Sequence, residues 1–209
     1  MKLRITLIRA IFLSLVTVSV FGQDAEPAAE IRDATSIKYK IYKIALSTSA
    51  ECTSPVTLLE SATGVQSDLL ATPTFAKGKI PAGTYRCVMI ELSKNINTTS
   101  TAPCTAPRDN LICADSQESK LIAGTPVTCS GGTGNDQRVV LYYTTLSAQT
   151  SGTRVFLPPT GGADTTSGVT LTTPIVFPTN KRAAVRINKQ IINGTTCGLD
   201  TVNFSISVQ

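Results

Sequence analysis

Six cysteines carry most of the chemistry that this 209-residue chain offers: Cys52, Cys87, Cys104, Cys113, Cys129 and Cys197. An even number in an exported chain reads as up to three disulfides, about 15 pairings being possible for six thiols. Zinc is the rival ligand, but it wants a close C-x2–4-C pair, often with histidines. The nearest cysteines here are Cys104 and Cys113, and the chain has no histidine. No C-x-x-C occurs either, which disfavours a thioredoxin-like redox role.

The lack of histidine removes more than zinc. Ser-His-Asp and Cys-His catalysis both need an imidazole base. A Ser-Lys nucleophile in an S-x-x-K spacing is absent, as is G-x-S-x-G. The stretch CSGGTGND over 129–136 is glycine-rich but lacks the G-K-[ST] that holds phosphate, so it reads as a cystine-anchored turn. Paired carboxylates hydrolyse glycosides, yet the acids from Glu51 to Asp200 are scattered. Only Glu91 stands inside a strongly apolar run, where it reads as a strand-end residue on the wetter face. GGADTTSG over 161–168 has no alternating acidic ligands for calcium. The expectation is a protein that is not an enzyme, with no cofactor, no metal and no catalytic residue.

These cysteines need an oxidising compartment, and the first residues supply a route to one. MKLRITLIR is followed by the apolar run AIFLSLVTVSVFG and then by polar residues from Gln23. A basic start, a short apolar core and a small residue at Gly22 make 1–22 a signal peptide. The run is shorter than the roughly 20 apolar residues of a spanning helix, so no transmembrane anchor is expected. Removing Lys2, Arg4 and Arg9 leaves 16 basic against 14 acidic residues, a net of +2 where the whole chain has +5. That charge exerts little pull on nucleic acid, so no nucleic-acid partner is expected. The clusters Lys38-Lys40-Lys43 and Lys181-Arg182-Arg186-Lys189 alternate with other residues and read as solvated strand faces.

Residues 23–35 are unpatterned and read as a flexible leader, followed by one domain over 36–209. Its first strand is expected over 37–47. There the apolar phase runs Ile37, Tyr39, Ile41 and then shifts to Tyr42, Ile44, Leu46. A regular strand cannot change face midway, so a bulge near Tyr42 or a passage between sheets is predicted. Further strands are expected over 56–60, 75–80, 84–92, 137–146, 153–158, 168–177, 183–192 and 201–209, with Asn193-Gly194 as a hairpin signal. No stretch after residue 22 shows a helical period. The segment 95–136 holds three cysteines among Pro, Gly, Ser, Thr and Asn, and reads as a long cystine-pinned loop with short strands near 111–113 and 120–122.

The run KIPAGTYRCVMIELSK over 79–94 is apolar on both faces: Val88, Ile90 and Leu92 on one, Tyr85, Cys87 and Met89 on the other. Such a strand is covered on both sides. If the first strand lies antiparallel beside it, Cys52 comes within reach of Cys87, with Cys197 as the other candidate partner. Cys104–Cys113 and Cys129–Cys197 complete one partition. The predicted fold is an all-β, disulfide-braced antiparallel sandwich, with a β-barrel as the alternative.

The Pro81-Ala82-Gly83-Thr84-Tyr85 step with its apolar strand resembles a turn-strand element of exported bacterial transthyretin-like or immunoglobulin-like β-sandwich modules. The resemblance implies a sandwich and an extracytoplasmic binding or structural role; it transfers no site residue. The function expected is a secreted, periplasmic or cell-surface binding module for a protein, carbohydrate or cell-surface ligand, adhesin-like, with 95–136 as contact surface and Tyr142 or Tyr143 as aromatic contact. The alternative is a structural subunit of a fibre or envelope assembly that self-associates by strand exchange. Asn97, Asn193 and Asn203 each open an N-x-S/T triplet.

Overall fold

The computed structural model describes residues 31–68, 70–71, 74–102, 104–149, 152–179, 182–187, 191–193, 199–201 and 204–208. The expected signal peptide, leader residues 23–30, Cys197, Gly194 and Asn203 lie outside them. The described residues form sixteen strands and no helix: an all-β protein.

β1 (Ile31–Ser47) is the spine of a nine-stranded sheet that curls into a half-barrel. On one flank lies β2 (Val56–Asp68), antiparallel, from Lys38↔Asp68 to Leu46↔Val56. β3 (Thr74–Lys79) and β4 (Gly83–Tyr85) follow in the chain. On the other flank of β1 lie β5 (Cys87–Ser93) and β6 (Asn95–Ser100), two lengths of one path bent at Lys94. β5 covers the C-terminal half of β1 and β6 the N-terminal half. β7 (Arg108–Leu111) extends β6 outward.

The bulge anticipated in β1 exists. Its registers with both β2 and β5 shift between Ile41 and Lys43. The extra residue, Tyr42, leaves the ladder, so Ile37, Tyr39 and Ile41 share one core with Ile44 and Leu46. β2 answers with Gly64 at φ 79°, where a Cβ would stand 2.7 Å from Lys40 Cγ and 2.9 Å from Tyr42 Cε1. Only glycine meets both demands.

β8 (Glu118–Lys120) and β9 (Pro126–Thr128) form a separate hairpin. β10 (Arg138–Thr144) pairs with β5 along its whole length, and β11 (Val169–Thr170) touches only its end. The outer edge of β10 is nevertheless occupied. Val140 N–H donates to the buried Ser119 hydroxyl at 3.1 Å, and Tyr142 N–H to the Val155 carbonyl at 3.2 Å. An open strand edge is thereby denied to other chains. β12 (Ile175–Phe177) pairs with β4. β13 (Arg182–Ile187) lies between β3 and the last strand, β16 (Phe204–Val208), while β14 (Ile191–Asn193) and β15 (Leu199–Thr201) join the large sheet at Ile31–Asp33.

The main core gathers the β1 set with Val88, Ile90, Leu92, Val139 and Leu141, closed by Tyr85, Phe156 and Phe177. Each such aliphatic side chain stabilises the fold by about 1.5–3 kcal/mol when fully buried. Tyr85 meets Phe177 edge-on at 5.8 Å, and its hydroxyl donates to the Pro81 carbonyl at 2.9 Å.

Three expectations require correction. Residues 31–35 belong to β1, not to a leader; they are held by backbone ladders to β14 and β6, which no side-chain pattern announces. Segment 95–136 carries more strand than the two short ones expected: β6 through β9 lie within it, and β6 belongs to the large sheet. Residues 153–158 form a turn: Leu157 N–H closes on Arg154 O, and the neighbours Val155 and Phe156 both point inward, which a strand cannot arrange.

Candidate functional site

The second face of β5 explains its apolar character. Cys87 and Met89 join Ala45 of β1 and Val140 and Tyr142 of β10 in a smaller cluster. Cys52 covers one end, and Leu121 and Ile122, from the tip of the β8–β9 hairpin, cover the middle. Ser47 is the register partner of Cys87, so the turn after β1 carries Cys52 back over it. Cys52–Cys87 is a disulfide with Cα atoms 5.3 Å apart, the pair expected from antiparallel packing.

The other expected pairs do not form. Cys113 is bonded to Cys129, closing a covalent loop around the β8–β9 hairpin. A bridge from Cys104 to Cys113 is therefore impossible, as is one from Cys129 to Cys197. Cys104 is itself disulfide-bonded, to a partner outside the described residues. These bonds are consistent with an oxidising compartment.

Between the Cys52 turn, the hairpin tip and Pro158-Pro159-Thr160 lies a groove of about 440 Å³. That volume falls within the range of small-molecule pockets. Met89, Tyr142, Leu121 and Ile122 give it an apolar lining; Glu51, Lys120, Thr53, Ser54 and Thr160 give it polar groups. Each wall is held by named bonds. The Thr144 hydroxyl donates to Ala50 O, and the Ser47 hydroxyl to Thr53 O. Leu121 N–H donates to Thr125 O and Gly124 N–H to Leu121 O, which closes the hairpin tip. Ile122 N–H donates to the carboxylate of Glu91. Prolines stiffen the third wall. Such pinning lowers the ordering cost of binding.

Glu91 is thus not on a wet face. It is 5 % exposed, on the Cys87–Met89 side, under the hairpin. The Tyr142 hydroxyl donates to Lys120 O at 2.6 Å. Burial, and secondarily the charge of Glu91, raise that phenol well above its usual value, so it stays neutral at any physiological pH.

The aromatic contact expected of Tyr142 or Tyr143 is not presented as a platform: Tyr142 is buried, and Tyr143 is half-buried against the main core. The 129–136 turn is anchored by Cys129 and by the buried Lys94 ammonium, which donates to Ser130 O and lies 3.7 Å from Asp115. In GGADTTSG both oxygens of Asp164 accept from Thr160, Thr166 and Ser167. This carboxylate is an internal turn anchor. Among the described residues no three His, Cys, Asp or Glu side chains converge as metal ligands, and no helix is long and apolar enough to cross a membrane.

Sequence reasoning found the Cys52–Cys87 bridge but not the groove. The one legible sign was the second apolar face of β5, which demanded a cover. The positive φ of Cys52 (60°) and Ser54 (48°), which shapes one wall, has no signature in residue type. No protein-family model, curated protein or solved structure matches the chain.

Proposed function

We propose that the protein is an exported, non-catalytic binding module of β-sandwich type, secreted, periplasmic or displayed at a bacterial cell surface, and that it engages a protein partner through the groove. The groove carries this reading. Apolar and polar side chains both line it, and its walls are fixed by a disulfide, two hydroxyl-to-carbonyl bonds and a diproline. A carbohydrate ligand is less well served. Sugars stack on exposed aromatic faces, whereas the chain has no tryptophan and, among the residues whose burial is described, Tyr39, Tyr42, Tyr85, Tyr142, Phe156 and Phe177 are buried and Tyr143 is half-buried. An extended peptide needs only apolar contact and scattered hydrogen bonds, which the groove supplies.

The sandwich reading is supported by Tyr85. It precedes Cys87 by two residues and bonds the backbone upstream at Pro81, the geometry that locks a corner in Greek-key sandwiches.

The experiment is selection of a phage-displayed decapeptide library on mature protein, alongside a glycan array. Enriched peptides that lose binding to Thr53→Trp, in which an indole fills the groove mouth, are the expected result. Peptides that bind this variant unchanged, or ligands found only among glycans, would overturn it.

A structural role by strand exchange has one observation in its favour. β2 is thirteen residues long and pairs, among the described residues, with β1 alone. Light scattering after size exclusion tests it: a monomer at every concentration removes the assembly reading.

A further inference from the structure

We propose that Cys52–Cys87 is a thiol-exchange site, reached through the groove by a dithiol reductant that attacks Cys52 Sγ. The inference rests on the same open groove as the binding reading, but not on any ligand being bound there.

The two sulfurs are unequal. Cys52 borders the groove and is 8 % exposed; Cys87 is wholly buried in the middle of the sheet. Cys113 and Cys129 are both wholly buried, and Cys104 is 4 % exposed. An incoming thiolate must approach in line with the S–S bond, and among the described cysteines Cys52 lines the groove, whereas Cys87, Cys104, Cys113 and Cys129 do not. Backbone conformation adds to the difference. Cys52 and Ser54 hold φ of 60° and 48°, a left-handed region that costs free energy for any residue with a Cβ.

The step balances as follows. A thiolate of the dithiol bonds to Cys52 Sγ, the S–S bond breaks, and Cys87 departs as thiolate and takes a proton from solvent. The second thiol of the reductant, deprotonated, then attacks its own mixed-disulfide sulfur. Cys52 leaves as thiolate and the reductant becomes a cyclic or intramolecular disulfide. Two electrons pass from dithiol to protein. Cys87 lies among Ala45, Met89, Val140 and Tyr142 and stays beside Cys52, where it can re-attack a mixed disulfide. Dithiols are therefore preferred over monothiols, whose mixed disulfide reverts. The Thr144 and Ser47 hydroxyl bonds keep the turn nearby after reduction, so the sheet survives while one groove wall loosens.

The test uses the oxidised full-length mature protein without ligand. Native protein is treated with dithiothreitol, quenched in acid and alkylated with N-ethylmaleimide, and cysteine peptides are quantified by mass spectrometry. Cys52 and Cys87 should be alkylated at least tenfold faster than Cys113 and Cys129, with the β circular dichroism retained. Glutathione trapped as a mixed disulfide should reside on Cys52. Thr53→Trp and Pro55→Trp, two exposed groove-lining positions, should each slow capture of Cys52 about tenfold and leave Cys113 unchanged. Equal or earlier reduction of Cys113–Cys129, an adduct on Cys87, or no slowing in either variant would overturn the proposal. A protein that exchanges in this order yet selects no peptide keeps the inference and loses the binding reading; the converse result does the opposite.

Discussion

The carboxylate of Glu91 joins two elements far apart in the chain: Oε2 accepts from Ile122 N–H at 3.4 Å, and Oε1 lies 3.5 Å from Nη1 of Arg138. The same guanidinium lies 4.1 Å from the centre of the Tyr42 ring and donates to Ala62 O at 2.6 Å. The bulge of β1, the bend of β2 and the tip of the β8–β9 hairpin therefore converge on one buried acid. Arg138 is 41 % exposed, so solvent screens much of the pair's attraction. The backbone hydrogen bond at Ile122 is the part that positions the groove.

Glu91→Ala should accordingly cost about 2–3 kcal/mol, most of it from the unmet Ile122 N–H and the emptied buried position. Glu91→Gln keeps an acceptor and should cost about half as much. Amide exchange of 118–128 should accelerate in the alanine variant well beyond that of β5 and β10. Equal stability of the two variants would show that the hydrogen bond contributes nothing.

Gly64 gives a sharper steric test. Alanine there must adopt φ near 79° and place Cβ within 3 Å of both Lys40 and Tyr42 side chains. The expected loss is about 2 kcal/mol or more, against less than about 0.5 kcal/mol for Thr63→Ala at the exposed neighbouring position. Urea unfolding of the two variants decides it. A Gly64→Ala protein as stable as wild type would mean that β2 does not close on the bulge this way.

How far these features were legible in the residues differs by kind. The bulge at Tyr42 was, because a change of apolar phase within one strand has few physical solutions. So was Cys52–Cys87, which follows once β1 and β5 are antiparallel neighbours. Strand 31–36 was not, since IRDATS is held through its backbone to β14 and β6 and shows no apolar alternation in the sequence. The turn over 153–158 imitated a strand because Val155 and Phe156 are both core residues. The groove was least legible: its walls come from residues 51–55, 120–124 and 158–160, and only tertiary packing brings those together.

Asp164 should make stability pH-dependent at the acid end. Burial pushes its carboxyl up, but hydrogen bonds from Thr160, Ser167 and Thr166 prevail and hold it well below the usual carboxylate range. A depressed folded value means that the contribution is complete above the unfolded carboxyl value near 4 and fades as pH falls below it. Asp164→Asn should lower stability at pH 7 by about 1–2 kcal/mol. The gap to wild type should narrow between about pH 4 and pH 2, as read from melting temperatures. A gap constant across that window would place the turn's stabilisation elsewhere.

Cysteine counting yields a covalent prediction. Cys52–Cys87 and Cys113–Cys129 account for four thiols, Cys104 is bonded, and Cys197 alone is left to be its partner. Peptide mapping of unreduced protein should return a Cys104–Cys197 linkage that ties the segment after β6 to the segment between β14 and β15. A free Cys197 thiol would refute it.

Lys94, at the bend between β5 and β6, is wholly buried, and its ammonium donates to Ser130 O and lies 3.7 Å from Asp115. Burying an ammonium costs several kcal/mol. The return is one charge-assisted hydrogen bond, about 1.5–3 kcal/mol, and a weak attraction to a carboxylate that is 58 % exposed. Removing the lysine strands no buried charge, because Asp115 stays in water, and Ser130 O still has Asn135 Nδ2 at 3.4 Å. Lys94→Met should therefore leave global stability within about 1 kcal/mol of wild type, or raise it, while the backbone of 130–136 loses an anchor and is clipped faster by a broad-specificity protease. Global stability reduced by more than about 3 kcal/mol would mean that Lys94 holds the bend itself and not only the loop wrapped over it.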